Sequence, residues 1–549
     1  MIMISTIQHN SKAAARFGFL KNMMAGLLLL AVQQIQAQGT IPMQKGMAAV
    51  TCFSGPGNGQ DMQNPNGPVL AIFDIRDPQA NGAPTNPPAN WTAASTGAYH
   101  PANWTAANMG ELFGVSIEEG ATSPAIFATT TGITGRTDMN LFPKTGGTGG
   151  EVFRVNGTTG AVTTLVTLPN TTYTVFGIFS RYVGLGDNTY NRINNVLYVS
   201  NMDNGLVYAV NATTGALLGT PFNHNTATAD NTALPFTQDE RIVYGLGYNE
   251  QENKLYYSVK GGNALDANSQ VYTVGLNADG SINAASKSPS PVVSYSTAGA
   301  FSMISDIAFS ADGTQMLLAE MRLNRFSDIL VKAAHNAKVY KYVTSAGTWS
   351  LNLSYAGQIG STDNLSGNNA AGGVDFGFNN YGTNSTGTNL DDAAVMTGDA
   401  LIFGPNIYVY GIQISNIVAP NTFASAYIVD LDGNTGPLSA SGKFTTGDIE
   451  VYGDVLCTPP TLSVINGVTC AANSINLGTL VTNSGGTLTY HATLADAQAG
   501  TPTISPVVSP SVATTYYVRS TAGPGCFATA AINISIAQAN CFPLSIIKN

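Results

Sequence analysis

Three aspartates stand at one position of a short recurring motif: Ser305-Asp306-Ile-Ala-Phe309, Val374-Asp375-Phe-Gly-Phe378 and Gly447-Asp448-Ile-Glu-Val451. Carboxylates set at one level around a common axis would suit a hard cation such as Ca2+, which takes about six to eight oxygen ligands. The same side chains would serve as well by accepting backbone hydrogen bonds from a neighbouring element and fixing its register. The structural role is preferred, because unpaired acids are rarely buried. Asp430-Leu-Asp-Gly-Asn434 has the outline of a calcium loop. It lacks the distal Glu of an EF-hand and falls where a hairpin turn is expected, so it is set aside.

Aromatic residues form the second candidate group. Pro88-Ala-Asn-Trp91-Thr-Ala-Ala94 recurs as Pro101-Ala-Asn-Trp104-Thr-Ala-Ala107, with Tyr99 and His100 between the copies. Exposed Trp91, Trp104, Tyr99 and His100, with Arg322 and Arg325 on another long connection, would stack on sugar rings or anchor a protein partner. The competing reading makes both tryptophans plugs at the edge between two repeats, and it is preferred because Trp is highly buried on average. Catalytic signals are thin. Once the leader is removed, His100, His224, His335 and His491 remain, and no Gly-x-Ser-x-Gly, His-Glu-x-x-His or phosphate-binding glycine loop occurs.

These residues sit in repeats. One apolar–aromatic–variable–apolar pattern occurs six times: Val152-Phe-Arg-Val155, Val207-Tyr-Ala-Val210, Val271-Tyr-Thr-Val274, Val339-Tyr-Lys-Tyr342, Ala426-Tyr-Ile-Val429 and the looser Ala71-Ile-Phe-Asp74. A two-residue period means a strand. Most copies run into turns such as Asn156-Gly-Thr-Thr-Gly160 or Asn211-Ala-Thr-Thr-Gly215, whose residues tolerate the positive φ of a hairpin. Each copy is paired with an inner-strand motif: the three aspartate motifs, and Phe113-Gly-Val-Ser-Ile117, Val183-Gly-Leu-Gly-Asp187 and Tyr244-Gly-Leu-Gly-Tyr248. Small residues on one side suit the crowded axis of a propeller blade.

The expected fold is therefore all-β: a six-bladed β-propeller over residues 38–457. The N-terminal segment supplies three strands (Met47–Phe53, Val69–Ile75, Trp91–Ser95) and Gly447–Gly453 the missing inner strand, which closes the ring as a clasp. A β-helix would need coils of constant length. Successive third strands from Val152 instead lie 55, 64, 68 and 87 residues apart.

Lys12, Arg16 and Lys21, followed by the short apolar run Met23–Val32, read as a secretory signal over residues 1–37. Its removal leaves 19 basic against 32 acidic residues. So acidic a chain has no footprint for nucleic acid, and no later segment is long and apolar enough for a transmembrane span. Five cysteines fit an oxidising compartment, and no Cys-x-x-Cys occurs. Cys470 and Cys526 are expected to pair within the C-terminal module. Cys52 would either lock the clasp through Cys457 or leave Cys457 to Cys541.

Beyond Thr458-Pro-Pro460 the texture changes. Leu462–Cys470, Ser474–Leu477, Thr487–Leu494, Thr514–Val518 and Ala530–Ile536 read as strands of one small sandwich over residues 458–541, with 542–549 as a tail. Ser505-Pro-Val-Val-Ser-Pro510, Thr514-Thr-Tyr-Tyr-Val-Arg519 and Gly525-Cys526 resemble the immunoglobulin-like modules of secreted Bacteroidota-type surface proteins. With its Val339-Tyr-Lys-Tyr342 and Gly447-Asp-Ile-Glu-Val-Tyr452 segments, the propeller region is also similar to proteins of that kind. The resemblance implies display at or beyond the outer membrane.

Two further likenesses fail on detail. Ser310-Ala-Asp312-Gly-Thr314 resembles a sialidase Asp-box without its tryptophan, and the Asn-x-Thr-Thr-Gly-Ala turns resemble quinoprotein blades without their docking tryptophans. Long connections, including Ser54–Pro68, Thr131–Gly150, Arg322–Asn336 and Gln413–Phe423, would gather on one face, where binding usually resides. The expectation is a secreted or surface, non-enzymatic binding protein with an extracellular protein or glycan partner. A metal-dependent propeller hydrolase or lactonase acting through Asp306, Asp375 and Asp448 is the alternative, and a structural envelope or matrix role is the third.

Overall fold

The computed structural model describes residues 43–537 apart from internal segments, the longest being 54–64, 76–88, 133–144, 225–241, 379–390 and 431–444. The expected leader, Cys457, Cys541 and the tail lie outside the described residues. Strands predominate, and no described helix is long and apolar enough to cross a membrane.

Between Ala48 and Val451 the described strands form six sheets of four or more strands, antiparallel but for one edge strand, with one separate hairpin. Sheet 1 runs Leu112–Ile117, Ala125–Thr130, Glu151–Asn156, Val162–Thr167. Sheet 2 runs Leu185–Asn191, Val196–Asn201, Leu206–Asn211, Phe222–Asn223. Sheet 3 runs Val243–Asn249, Lys254–Lys260, Asn268–Gly275, Val293–Ser296. Sheet 4 runs Phe301–Phe309, Gln315–Phe326, Val339–Ser345, Thr348–Leu351. Sheet 5 runs Ala370–Gly377, Ala393–Gly404, Ile407–Asn416, Tyr427–Asp430. Sheet 6 joins the two ends: Thr445–Val451, then Ala48–Phe53, Leu70–Phe73 and Ala98–Tyr99.

The first strand of each sheet lies against the first strand of the next, and that of sheet 6 lies against that of sheet 1. This is a propeller-type arrangement. The expected pairing of the chain ends is present, with Ala48 opposite Val451 and Val50 opposite Ile449.

Most strands form where alternation predicts them, and burial explains their composition. Leu112–Ile117 and Val196–Asn201 are buried along their whole length because neighbouring sheets cover both faces. The outer strand Val162–Thr167 is largely exposed, which its threonines allow. Between sheets 1 and 2, Phe127 and Val152 pack with Leu197, Val199 and Tyr208. The turns form as the residues require. Asn156 Oδ1 accepts the N–H groups of Thr158 and Thr159 at 3.0 and 2.8 Å, and Gly160 takes φ +72°. Asn211 and Gly215 (φ +73°) repeat the arrangement.

Four expectations are corrected. Ala426–Val429 is not a third strand: Ile407–Asn416 takes that place and Tyr427–Asp430 follows as the fourth. The 87-residue interval came from this misplacement. Trp91 does not lie in the closing sheet, since Ala89–Thr92 pairs in parallel with Tyr427–Asp430 at the edge of sheet 5. The Arg322–Asn336 connection is not a simple loop. Gln315–Phe326 continues through Arg322 and Arg325 and folds back on Ile329–Lys332, with Leu323 opposite Lys332. In the C-terminal region the strand Thr487–His491 ends early and Leu494–Ala499 is helical, Thr493 Oγ1 capping Asp496 N at 3.1 Å.

That region holds the sheet Gly467–Thr469, Cys526–Ile536, Thr514–Gly523, Thr487–His491 and two small strand pairs. Leu477, Tyr490, Val518, Ile532 and Ile534 form its core.

Candidate functional site

The axial strands bring together Asp187, Asp306 and Asp448. One carboxylate oxygen from each lies within 4.8 Å of the others, and all three residues are buried. Asp375, expected in this group, is not part of it, and Asp187 takes its place. Glycine positions explain the error. The motif Val183-Gly-Leu-Gly-Asp187 invites alignment of Gly184 with Gly114 and Gly245. But Gly184 (φ +84°) precedes the strand, and the ladder shifts register between Leu185 and Asn188. Asp187, at the end of the motif, is therefore the residue that joins Asp306 and Asp448.

The three acids belong to sheets 2, 4 and 6 and are held alike. Asp187 Oδ2 accepts Leu246 N–H at 2.8 Å, Asp306 Oδ2 accepts Val374 N–H at 2.7 Å, and Asp448 Oδ2 accepts Val115 N–H at 2.8 Å. Each bond therefore runs to the axial strand of the following sheet. The residue before each donor is a glycine, Gly245, Gly373 or Gly114. A Cβ there would meet backbone of the next acid-bearing strand at 2.9 Å or less: Asp306 N, Asp448 Cα and Asp187 Cα respectively. Glycine in the odd sheets thus admits the close approach of the acid-bearing strand that follows it.

A second ring of bonds runs between sheets. Thr129 Oγ1 donates to Gly186 O (2.7 Å), Ser200 Oγ to Tyr244 O (2.5 Å) and Ser258 Oγ to Ile304 O (2.7 Å). Ser305 Oγ donates to Gly372 O (2.7 Å), Thr397 Oγ1 to Gly447 O (2.8 Å), and Thr51 Oγ1 to Phe113 O. Five donors occupy the same level of a second strand. In sheet 4 that level is Ala319, which has no hydroxyl, and Ser305 of the axial strand substitutes.

Burial is the first cause of the electrostatics here. It raises the carboxyls of Asp187, Asp306 and Asp448 well above the ordinary range, and their mutual charges raise them further. Three such groups cannot all ionise in one desolvated space, so they share protons or hold a cation. Their oxygens are close enough for Ca2+ at about 2.3–2.6 Å from each. They supply only three of the oxygens such an ion takes, and Asp187 and Asp448 already accept two backbone N–H groups each.

Further along the axial strands come the half-buried Glu119, Asp375 and Glu450. Asp375 accepts Val451 N–H and Phe376 N–H, both at 2.7 Å. Burial pushes Asp375 up to about 7 and Glu119 up to about 8, the latter helped by the Asp375 charge. At the other end, where second strands run on toward third strands, Phe113, Met202, Tyr244, Met303, Met321 and Leu323 form an apolar plug. The acids thus lie between an apolar cluster and an acidic end.

The expected recognition residues are placed differently. Trp104 is fully buried and its Nε1 donates to Gly160 O at 2.9 Å, joining the closing sheet to sheet 1. Tyr99, 4% exposed, meets it edge-on at 5.6 Å. Neither is free to stack on a ligand, and the plug reading holds for Trp104. His100 and Arg322 are half-buried, burial lowering the His100 pKa. The side chains of Trp91 and Arg325 lie outside the described residues.

Cys52 is a buried free thiol donating to Pro68 O at 3.1 Å, so the expected Cys52–Cys457 lock is corrected. Cys52 stands opposite Thr446, whereas the antiparallel partner leaves the pair at Val451, opposite Ala48. Cys470 is disulfide-bonded, while the Cys526 side chain lies outside the described residues.

No family model and no curated protein matches the chain. Solved structures do. A provisionally assigned 6-phosphogluconolactonase of Bacteroides fragilis is 12% identical, covering 76% of this chain and 99% of its own, at TM-score 0.32. The calcium-binding protein regucalcin of Agrobacterium tumefaciens is 12% identical over 58% of this chain and 75% of its own, at TM-score 0.28. The β-propeller domain of Cps50 (Swd1) from Myceliophteria thermophila is 10% identical over 60% and 77%, at TM-score 0.28. At these levels the likeness carries no argument about what this chain binds or does.

Proposed function

We propose that this chain is a secreted, non-enzymatic binding protein. The six sheets are the blades of a six-bladed propeller, and an immunoglobulin-like module follows, in which Cys470 pairs with Cys526. The observation that carries the non-enzymatic reading is the state of the axis. Its three converging carboxyls are each bonded to the backbone of the next sheet, and a buried apolar cluster of Phe113, Met202, Tyr244, Met303, Met321 and Leu323 lies at one end of the same axial strands. A catalytic metal keeps an open coordination position and a path for substrate. The axial acids instead work as fasteners between blades. Recognition then falls to the connections on the rigid rim, and the acidic balance favours an extracellular protein or glycan over nucleic acid.

The resemblance of the C-terminal module supports placement at the cell surface or beyond it. Purified mature protein applied to a glycan array and to envelope extracts tests the reading. Specific capture that persists in the Asp187→Asn/Asp306→Asn/Asp448→Asn variant supports it. Hydrolysis of lactone or ester substrates, lost in that variant, sinks it. The convergence of the acids within 4.8 Å favours a metal-dependent hydrolase as the second reading. Stoichiometric bound metal together with that activity is its signature.

A further inference from the structure

The connection leaving Gln315–Phe326 does more than lengthen sheet 4. Lys332, opposite Leu323 at the base of the ribbon, buries its side chain to 1% exposure and places Nζ 3.4 Å from Asp399 Oδ2, itself 2% exposed. The same ammonium donates to Thr446 O. Asp399 belongs to sheet 5, and Thr446 is the second residue of the closing strand of sheet 6, where it faces Cys52. One side chain from sheet 4 therefore grips both following sheets.

A second anchor lies three residues on. His335 Nδ1 is 2.6 Å from Asn369 Oδ1, and the carbonyl of the buried Asn369 accepts Asp399 N–H at 2.9 Å. His335 and Asn336 take φ +73° and +58°. Two successive left-handed residues without glycine are held only where the surroundings over-determine them. Here they turn the chain onto sheet 5.

We propose that this connection is a strap that seats the closing strand, with Lys332 as its latch. A buried ion pair is a poor source of net stability, but it is satisfied in only one arrangement. Lys332 meets both partners only when sheets 4, 5 and 6 are in register. The ring is thus secured from two sides: Ala48–Phe53 pairs along one edge of Thr445–Val451, and the strap holds the start of that strand.

Hydrogen exchange followed by mass spectrometry on the full chain tests this. In Lys332→Ala, amide exchange across Thr445–Val451 is expected to accelerate at least tenfold, with less than a twofold change in Lys254–Lys260 of sheet 3. Lys332→Met/Asp399→Leu removes both charges while keeping bulk. It is expected to stay folded yet keep the fast closing strand, because Thr446 O has still lost its donor. Wild-type protection of Thr445–Val451 in the double variant overturns the proposal, as does equal acceleration of all six sheets in either variant. If Lys332→Ala fails to fold, the double variant alone decides.

Discussion

At the scale of single residues the axial acids make the sharpest prediction. The folded protein raises their pKa values above those of the unfolded chain, which lie near about 3.9. Folding therefore takes up protons. The stability they contribute is complete below the unfolded value and is lost as pH rises through the folded ones. In chelator-containing buffer the melting temperature should fall as pH rises above the ordinary carboxylate range, and the triple Asp→Asn variant should make that dependence shallower, with Asp375 and Glu119 keeping a share of it. A flat wild-type profile would contradict the shared-proton state. Trp104 is the second case. Trp104→Ala removes a fully buried side chain and should cost about 3–5 kcal/mol in urea denaturation, with no direct effect on ligand capture. Sequence gave part of this. Asp306 and Asp448 could be found because their motif repeats, and Trp104 because Trp prefers burial. Asp187 could not, because the motif Val183–Asp187 aligns by residue type on Gly184 and hides the aspartate at its end.

At the scale of elements the sheets hold to one another through side-chain-to-backbone bonds as well as apolar contact. Thr129→Val or Ser258→Ala leaves a buried carbonyl short of a donor and should cost about 1–3 kcal/mol by chemical denaturation. Gly245→Ala should cost at least as much, because the new Cβ would press on the backbone of Ser305 and Asp306 at 2.9 Å. Losses near zero in both would show that the sheets are held by apolar packing alone. The hydroxyl ring had a signal in the sequence: Thr51, Thr129, Ser200, Ser258 and Thr397 stand at matching places in second strands. The signal is faint, since Ala319 breaks it and serine and threonine are common throughout. The long hairpins of sheets 4 and 5 were harder still. Their strands extend past the point where alternation with a buried face ends, so the residues beyond look like loop.

At the scale of the molecule, the alternation of strands and turns made the repeating all-β architecture readable, because each blade must bury two faces and turn sharply at its edge. The joining of the ends was readable too, from an unmatched inner-strand motif at one end and three partnerless strands at the other. Deleting the chain through Phe53 should expose an unpaired edge on Thr445–Val451 and replace a cooperative melt by aggregation, visible in size-exclusion chromatography. A monodisperse, cooperatively melting product would show that closure is dispensable. The closing sheet also sets the order in which the molecule can be made. Asp448 N–H reaches Thr51 Oγ1 across a sequence separation of 397 residues. Contacts this distant carry a large loop-closure cost and form late. During synthesis the strand Ala48–Phe53 emerges early and waits, its edge open, until almost the whole repeat array has followed. An open edge of this kind is a template for aggregation for as long as it waits. The last step of folding is then a single cyclisation, which makes the finished ring slow to form and, once shut, slow to reopen.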